Sequence, residues 1–529
     1  MHAKGPVEVR KNAANALCQP YATGFGRRLG RAEAGYRRMA GRGLPAGAGG
    51  TVNDGDLRCP DAASGMLPYS LEQASFFGPD PVTSPSTGLT LRLDGPLDAA
   101  ALSEAVSLLQ ARHEGLRFRT DEAHPARGQR ISAPEAIKLA PVPVTEEQMW
   151  DRLEHDGRAP FDLAAAGPVR FRLYRARADL HYLAMTAHPA ALDAWGVGIA
   201  NRDLWALYYG RGSGSGARLP DLPLSFGDHV RKQHSYGAAL AGPQRDRFLE
   251  RLAALRLGPL PMSAPARAAA APSLMFPRET FCLDRQLLAG IARTARELAV
   301  TPSATFLAGF ELVLGMAAES TVGGLSCIYM GRDQMETRPM AAALARRVPL
   351  RFSFTQNMQL GDFFRKVMLD WAAAIEDSGP PYSAARLVQA VGGPLDVLEP
   401  VFNLRMSRSM VRVQNEDPDE GPTGTALLTV KRAEAGYPKP APMWPQFGRD
   451  ALFALVTLGA EARVTAVYDP LTVPEQAARP LFAAYQQVMR VLAGGAAHLT
   501  IGELAGMITA YPAGPAWLAA ERNNPTILE

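Results

Sequence analysis

Cysteine is scarce: 529 residues hold only Cys18, Cys59, Cys282 and Cys327, all far apart. This spacing excludes a C-x-x-C redox pair, a Cys/His metal cluster and the framework of a secreted disulfide scaffold. Reduced thiols and a cytoplasmic location are expected. Long apolar runs are missing too. The best stretch, Ala304–Ala318, is interrupted by Gly309, Glu311 and Gly315 and is short for a bilayer span, so it reads as a buried helix. Met1–Arg10 lacks the apolar core of a secretory signal. A net positive charge is missing from the body of the chain. Residues 1–60 carry ten Lys/Arg against four Asp/Glu, a surplus of six, so the +4 of the whole leaves −2 for the remainder. The body therefore offers no basic footprint for nucleic acid or a membrane. The leader itself reads as a tether, as a disordered tail, or as the product of a start codon placed too far upstream.

What is present suits a globular protein with ample core, 47% hydrophobic and 20% charged, sized for two to four compact units or one two-lobed enzyme. Alternation over Leu89–Leu93 predicts a strand. Asp98 caps a helix with Leu102, Val106 and Leu109 on one face. A strand over Leu180–Ala187 precedes a helix with Val197, Ala200, Leu204, Leu207 and Tyr208 inward. Arg211–Leu224 and Pro259–Pro277 are rich in breakers and read as connections. The alternation then resumes. Asp284 starts a helix with Leu287, Ile291 and Leu298 inward, and Thr301-Pro302 starts the buried one. Strands follow near Gly324–Tyr329, Val348–Phe352, Val401–Met406, Ala451–Leu458 and Arg463–Tyr468, then a helix with Leu481, Tyr485, Val488 and Leu492. Two α/β halves joined by a linker predict a site in the cleft between them.

The informative segment is His181–Tyr209, HYLAMTAHPAALDAWGVGIANRDLWALYY. It resembles the core motif of nonribosomal peptide synthetase condensation domains, a family of the chloramphenicol-acetyltransferase-like superfamily: an apolar strand, His-His-x-x-x-Asp-Gly, often Trp, then a helix ending Leu-Tyr. His188 takes the first His, Asp193 the Asp and Trp195 the Trp, while Pro189 stands at the second His and Ala194 at the Gly. Other segments fall in family order. Leu67–Gln73 resembles the opening Ser-x-x-Gln motif, and Arg112–Arg117 the Arg-His-Glu-x-Leu-Arg motif. Asp228–Gln233 is similar to the segment after the first lobe, and Gly331-Arg332 with Glu336 to Gly-Arg-x-x-x-Glu. Arg346–Arg351 sits where the family has Asn-Thr-Leu-Pro-Leu-Arg. The motifs run from Leu67 to Arg351, and the resemblance as a whole covers about four-fifths of the chain.

The resemblance implies an α/β fold: a two-lobed, V-shaped pseudo-dimer of chloramphenicol-acetyltransferase-like lobes with a central tunnel. The division implied is a disordered basic leader (1–65), the first lobe (66–225), a crossover (226–280), the second lobe (281–505) and a tail (506–529). A thioester on a carrier protein would enter one side of the tunnel and an amine or alcohol the other, giving an amide or ester. No cofactor of its own is implied; a partner acyl or peptidyl carrier protein, acting in trans on a free-standing chain, would present a phosphopantetheine arm.

An ammonium nucleophile must shed a proton before it attacks, and a neutral imidazole in the tunnel can accept it. Pro189 cannot, having neither a polar side-chain atom nor an N–H. Two roles stay open for His188: a structural residue behind the loop, as the family has it, or a substitute base re-aimed by the following proline. For Asp193 the resemblance implies a brace paired with an arginine, Arg117 being the candidate; Arg112 is likewise structural. Trp195, Arg346 and Arg347 are candidates for substrate contact, although the two arginines equally suit a solvated strand edge. Gly323-Gly324-Leu325-Ser326 mimics an arm-attachment site but lies in an apolar strand, and Trp371 and Trp444 read as packing. The first expectation is an acyltransferase. The rival is an inactive module that recruits a carrier or tailoring enzyme, favoured by Pro189 and Ala194. A coenzyme-A-dependent or lipid acyltransferase fits the Arg112–Arg117 motif less well.

Overall fold

Alternation along β1 (Thr87–Asp94) buries Leu89, Leu91 and Leu93 on one face and turns Thr90 and Arg92 to the other. In the computed structural model this strand is the second of a five-stranded sheet. The described residues are 65–74, 76–77, 87–121, 128–211, 218–236, 243–255, 278–378, 399–406, 428–432, 450–468 and 473–510. The basic leader to residue 64, Pro259–Pro277, Trp444 and residues beyond 510 lie outside them.

Chain order gives the short helix α1 (Leu71–Ala74), β1, then α2 (Ala99–Arg112), where the Asp98 carboxylate accepts from Ala100 N and Ala101 N, both at 2.9 Å. β2 (Phe118–Thr120) and β3 (Gln129–Ile131) pair with each other. β4 (Val142–Pro143), α3 (Glu146–Arg158), β5 (Val169–Arg177), β6 (Leu180–Ala187) and α4 (Ala194–Gly210) complete the first half. Its core joins Leu89, Leu91 and Leu93 to Leu102, Val106 and Leu109 of α2 and to Val197, Ala200 and Leu204 of α4.

Two helices follow, α5 (Phe226–Tyr236) and α6 (Pro243–Ala254), within the expected crossover. The second half runs β7 (Arg278–Leu283), α7 (Arg285–Glu297), α8 (Pro302–Ala317), β8 (Val322–Tyr329), β9 (Arg346–Ser353), α9 (Leu360–Asp377), β10 (Glu399–Met406), β11 (Thr429–Arg432), β12 (Asp450–Leu458), β13 (Ala462–Tyr468), α10 (Glu475–Ala493) and α11 (Ile501–Gly506). Its sheet has the order β7-β13-β12-β10-β8-β9, and α8 lies buried against it, with Tyr485 Oη donating to Phe306 O at 2.8 Å.

The expected lobe division needs one correction. β11 falls inside 281–505, yet it pairs with β1, Leu91 opposite Arg432, and is the edge of the first-half sheet, ordered β11-β1-β6-β5-β4. The free edge of β1 supplies a ladder of backbone groups, and the returning chain satisfies them. A second exchange occurs at residues 330–345, whose Met340, Ala342 and Leu344 pack on Phe226 and Val230 of α5 while Ala341 enters the first-half core. Among the described residues no single helix is long and apolar enough to cross a membrane.

Candidate functional site

The motif loop begins where β6 ends. His188 N donates to Pro168 O at 2.7 Å and Ala191 N to His188 O at 2.8 Å, which turns the chain after Ala187. The His188 ring lies among Phe76, Phe77 and Phe161, with ring centroids 5.7, 6.0 and 5.8 Å away and Phe77 stacked. Its Nδ1 accepts from Ala190 N at 3.1 Å. Burial pushes the imidazole down to about 4, so the ring is neutral near pH 7. This is the setting of a loop-shaping residue. Pro189 beside it is half-buried.

The opening motif holds the loop from behind. Gln73 Nε2 donates to Ala190 O at 3.3 Å, and Gln73 and Gln129 exchange side-chain amide bonds at 3.0 and 2.6 Å. Ser70 and Gln73 also bond each other's backbone N–H, at 2.9 and 3.1 Å.

Asp193 is the N-cap of α4 and, at 9% exposure, nearly sealed from water. One oxygen accepts from Gly196 N at 2.6 Å. The other accepts from Arg332 Nη1, Leu344 N and Ala345 N, each at 2.8 Å. The carboxylate therefore ties the motif loop to the second half, as a brace. Its partner is Arg332 and not Arg117, whose guanidinium donates to Ser132 O and stands 3.8 Å from Glu114. Arg332 also donates to Met330 O and Ala342 O, both at 3.0 Å. Close approach is built in: a Cβ on Gly196 would meet Ala342 O at 2.6 Å, and Gly331, at φ +64°, has Leu344 O in the same way at 2.0 Å. Ala194, standing in place of the family glycine, is the first residue of α4.

A second clamp lies beneath. His113 Nδ1 accepts from Ala341 N at 3.2 Å, so Nε2–H points at Asp203 Oδ2, 2.9 Å away. Burial pushes the His113 imidazole down against the pull of Asp203. Arg112 Nε and Arg202 Nε donate to the same carboxylate at 3.0 and 2.7 Å. Burial raises the Asp203 carboxyl, and His113 and Arg202 more than offset it, leaving it below its ordinary value. The Arg112–Arg117 motif is thus structural throughout, with Glu114 Oε2 accepting from Gly227 N of α5 at 2.9 Å.

The substrate-contact candidates are placed less favourably. Trp195 packs on the first-half core. Arg346 and Arg347 begin an edge strand, and successive residues of a strand project to opposite faces, so the two do not converge on one anion. Arg346 lies over the Tyr329 ring at 5.2 Å and stands 3.8 Å from Glu72. Ser326 is buried on β8, and Trp371 packs edge-on to Tyr329 at 6.0 Å.

At the motif, then, the geometry supplies an intact support, with Pro189 at the position of the second His and His188 Nδ1 engaged by Ala190 N. Among the described residues no three His, Cys, Asp or Glu are placed to hold a metal. Sequence reasoning found the loop and its brace but missed Arg332 as the brace's partner, although Gly331-Arg332 was itself a motif signal. It also missed the His113–Asp203 clamp: His113 lay within a recognised motif, but nothing local pointed to Asp203, 90 residues on, as its partner.

The condensation domain family model matches residues 85–438. The phosphinothricin tripeptide synthetase PhsC of Streptomyces viridochromogenes is 26% identical over 310 residues, covering 55% of this chain and 28% of that synthetase. The chain spans 8% of another such relative, the chondramide synthase cmdD of Chondromyces crocatus. Among solved structures, the X-domain in complex with OxyB from teicoplanin biosynthesis superposes with a TM-score of 0.67 at 20% identity, covering 88% of this chain and 98% of that one. The first condensation domain of the calcium-dependent antibiotic synthetase, bound to a substrate analogue, gives 0.60 at 16% identity over 83% and 98%.

Proposed function

The chain belongs to the condensation domain family, and on that footing we propose that it is a recruitment module of nonribosomal peptide assembly: it receives a carrier-borne acyl or peptidyl thioester and holds it for another protein, without forming a bond itself. One observation carries the reading. The family position for a proton acceptor is Pro189, and its neighbour His188 is a poor base, pushed by burial down to about 4, walled by three phenylalanines and with Nδ1 already engaged by Ala190 N. A positioned acid–base group contributes about 10²–10⁴ in rate, and this loop lacks one. A precedent for a partner-binding member of the fold is the X-domain in complex with OxyB from teicoplanin biosynthesis.

The intact brace favours a second reading, a slow condensation catalyst. Orientation of two bound reactants supplies about 7–11 kcal/mol of barrier on its own, and the Asp193 network preserves the loop that would orient them. The experiment runs wild type, Pro189→His and His188→Ala against an acyl-loaded carrier protein and an amine acceptor. Binding is followed by calorimetry and product by intact-protein mass spectrometry. Recruitment predicts binding to the loaded carrier with no product from any of the three. Wild-type product that falls in His188→Ala establishes catalysis instead.

A further inference from the structure

Beside the motif loop, where the two halves meet, lies a polar cluster that the His188 site does not use. Glu72 of α1, His229 and Gln233 on successive turns of α5, and Arg346 of β9 come together there. Gln233 Nε2 donates to both Glu72 carboxylate oxygens, at 3.2 and 3.0 Å, and Arg346 Nη1 stands 3.8 Å from the same carboxylate. His229 is 9% exposed, and its Nε2 is buried with no hydrogen-bond partner in the structure. The helix that carries it is pinned from both sides. Gly227 N bonds Glu114 of the first half, Lys232 Nζ reaches Glu336 of the second at 3.0 Å, and Phe226 and Val230 pack on Met340, Ala342 and Leu344.

Packing alone would be better served by an apolar side chain, which leaves no buried nitrogen unpaired. The charges acting on the ring come from every side: Glu72 from α1, Lys232 from its own helix, and Arg332 and Arg346 from the second half. Glu72 is already engaged by Gln233 and Arg346, while Lys232 and Arg332 are paired with Glu336 and Asp193. A neutral imidazole fits this seam. A second hydrogen on the ring would add a charge that burial and the three cations disfavour and that Glu72 alone draws towards the ring.

We propose that His229 is a proton-operated latch between the two halves: its neutral ring closes the seam, and its protonated ring pushes α5 away from Arg332 and Arg346 and frees the 330–346 segment. Because Arg332 also holds Asp193 and Ala342 O, the release reaches the motif loop. Burial, and then the three cations, lower the proton affinity of the closed ring below its ordinary value. The open seam therefore binds the proton more readily than the closed one, and closure is lost as pH falls below about 6.5.

The test is hydrogen–deuterium exchange of the full chain at about pH 7.5 and about pH 5.5, corrected for intrinsic rates. It is read on peptides covering 226–236 and 330–346. Wild type is expected to lose protection there on acidification by up to about tenfold, the ceiling set by descending about one unit below the ordinary imidazole value of about 6.5. His229→Gln, always neutral, keeps its protection. Charge variants move the step in opposite directions: Lys232→Gln removes a repelling cation and shrinks it, and Glu72→Gln removes the opposing carboxylate and enlarges it. A pH step that survives in His229→Gln overturns the latch. If that variant fails to fold, the charge variants decide alone, and a common direction of change in both overturns it.

Discussion

At the scale of single residues, the structure separates support from chemistry. Asp193 makes four hydrogen bonds, three of them to the second half. Asp193→Ala leaves Arg332 buried without its anion and is expected to cost about 3–5 kcal/mol, read from urea unfolding. A double-mutant cycle identifies the partner: Asp193 and Arg332 should couple strongly, while Asp193 and Arg117 should be additive within about 0.5 kcal/mol. His188 gives a pH signature. Its folded value, about 4, lies below the ordinary 6.5, so the unfolded chain binds the proton first and stability falls as pH drops from 6.5 towards 4. The expected loss is about 3 kcal/mol. Thermal melts across that window should show it, and His188→Gln should remove it.

At the scale of elements, α8 is the instructive case. Its one ionisable residue is Glu311, and from Ala304 to Met316 the helix is enclosed on all sides in the second-half core. Burial, with Asp370 adding and Lys366 opposing, pushes the Glu311 carboxyl up to about 8. The sign is opposite to that of His188. The folded state holds the proton more tightly, so stability present below pH 4.5 is lost as pH rises towards 8, by about 3 kcal/mol at pH 7. Glu311→Gln should raise the melting temperature at pH 8 and flatten the curve above pH 5. The elements read most directly from sequence were those with strong local signals: the alternation of β1, the Asp98 cap, the apolar strand β6 and Thr301-Pro302 at the start of α8. Helices such as α3 and α9, and the short strands β2 to β4, give weaker patterns and went unassigned.

At the scale of the whole molecule, the two halves are interlocked. β11 returns from the second half to complete the first sheet, and Ala341 reaches the first-half core, held by His113. Residues 66–225 expressed alone would lack the β11 ladder and every second-half partner of Asp193, and the core face against Ala341 would be open. We expect that fragment to unfold without a cooperative transition, by circular dichroism and calorimetry, while the chain carrying both halves melts cooperatively. A cooperative melt of the fragment would show that the exchanged segments are dispensable.

The sequence by itself determined the family, the order of its motifs and the absence of an acid–base group at position 189. These are local facts: a proline has no proton acceptor wherever it is placed, and motif spacing is fixed by the covalent chain. Only the tertiary structure decided what surrounds each motif residue. That His188 is boxed by Phe76, Phe77 and Phe161, that Arg332 rather than Arg117 meets Asp193, and that Arg346 turns to Glu72 all depend on segments up to 274 residues apart in the chain. The charge and polarity of a side chain are written in its own chemistry; its partner is settled only when burial strips away water and leaves whichever opposite group the packing has brought within reach.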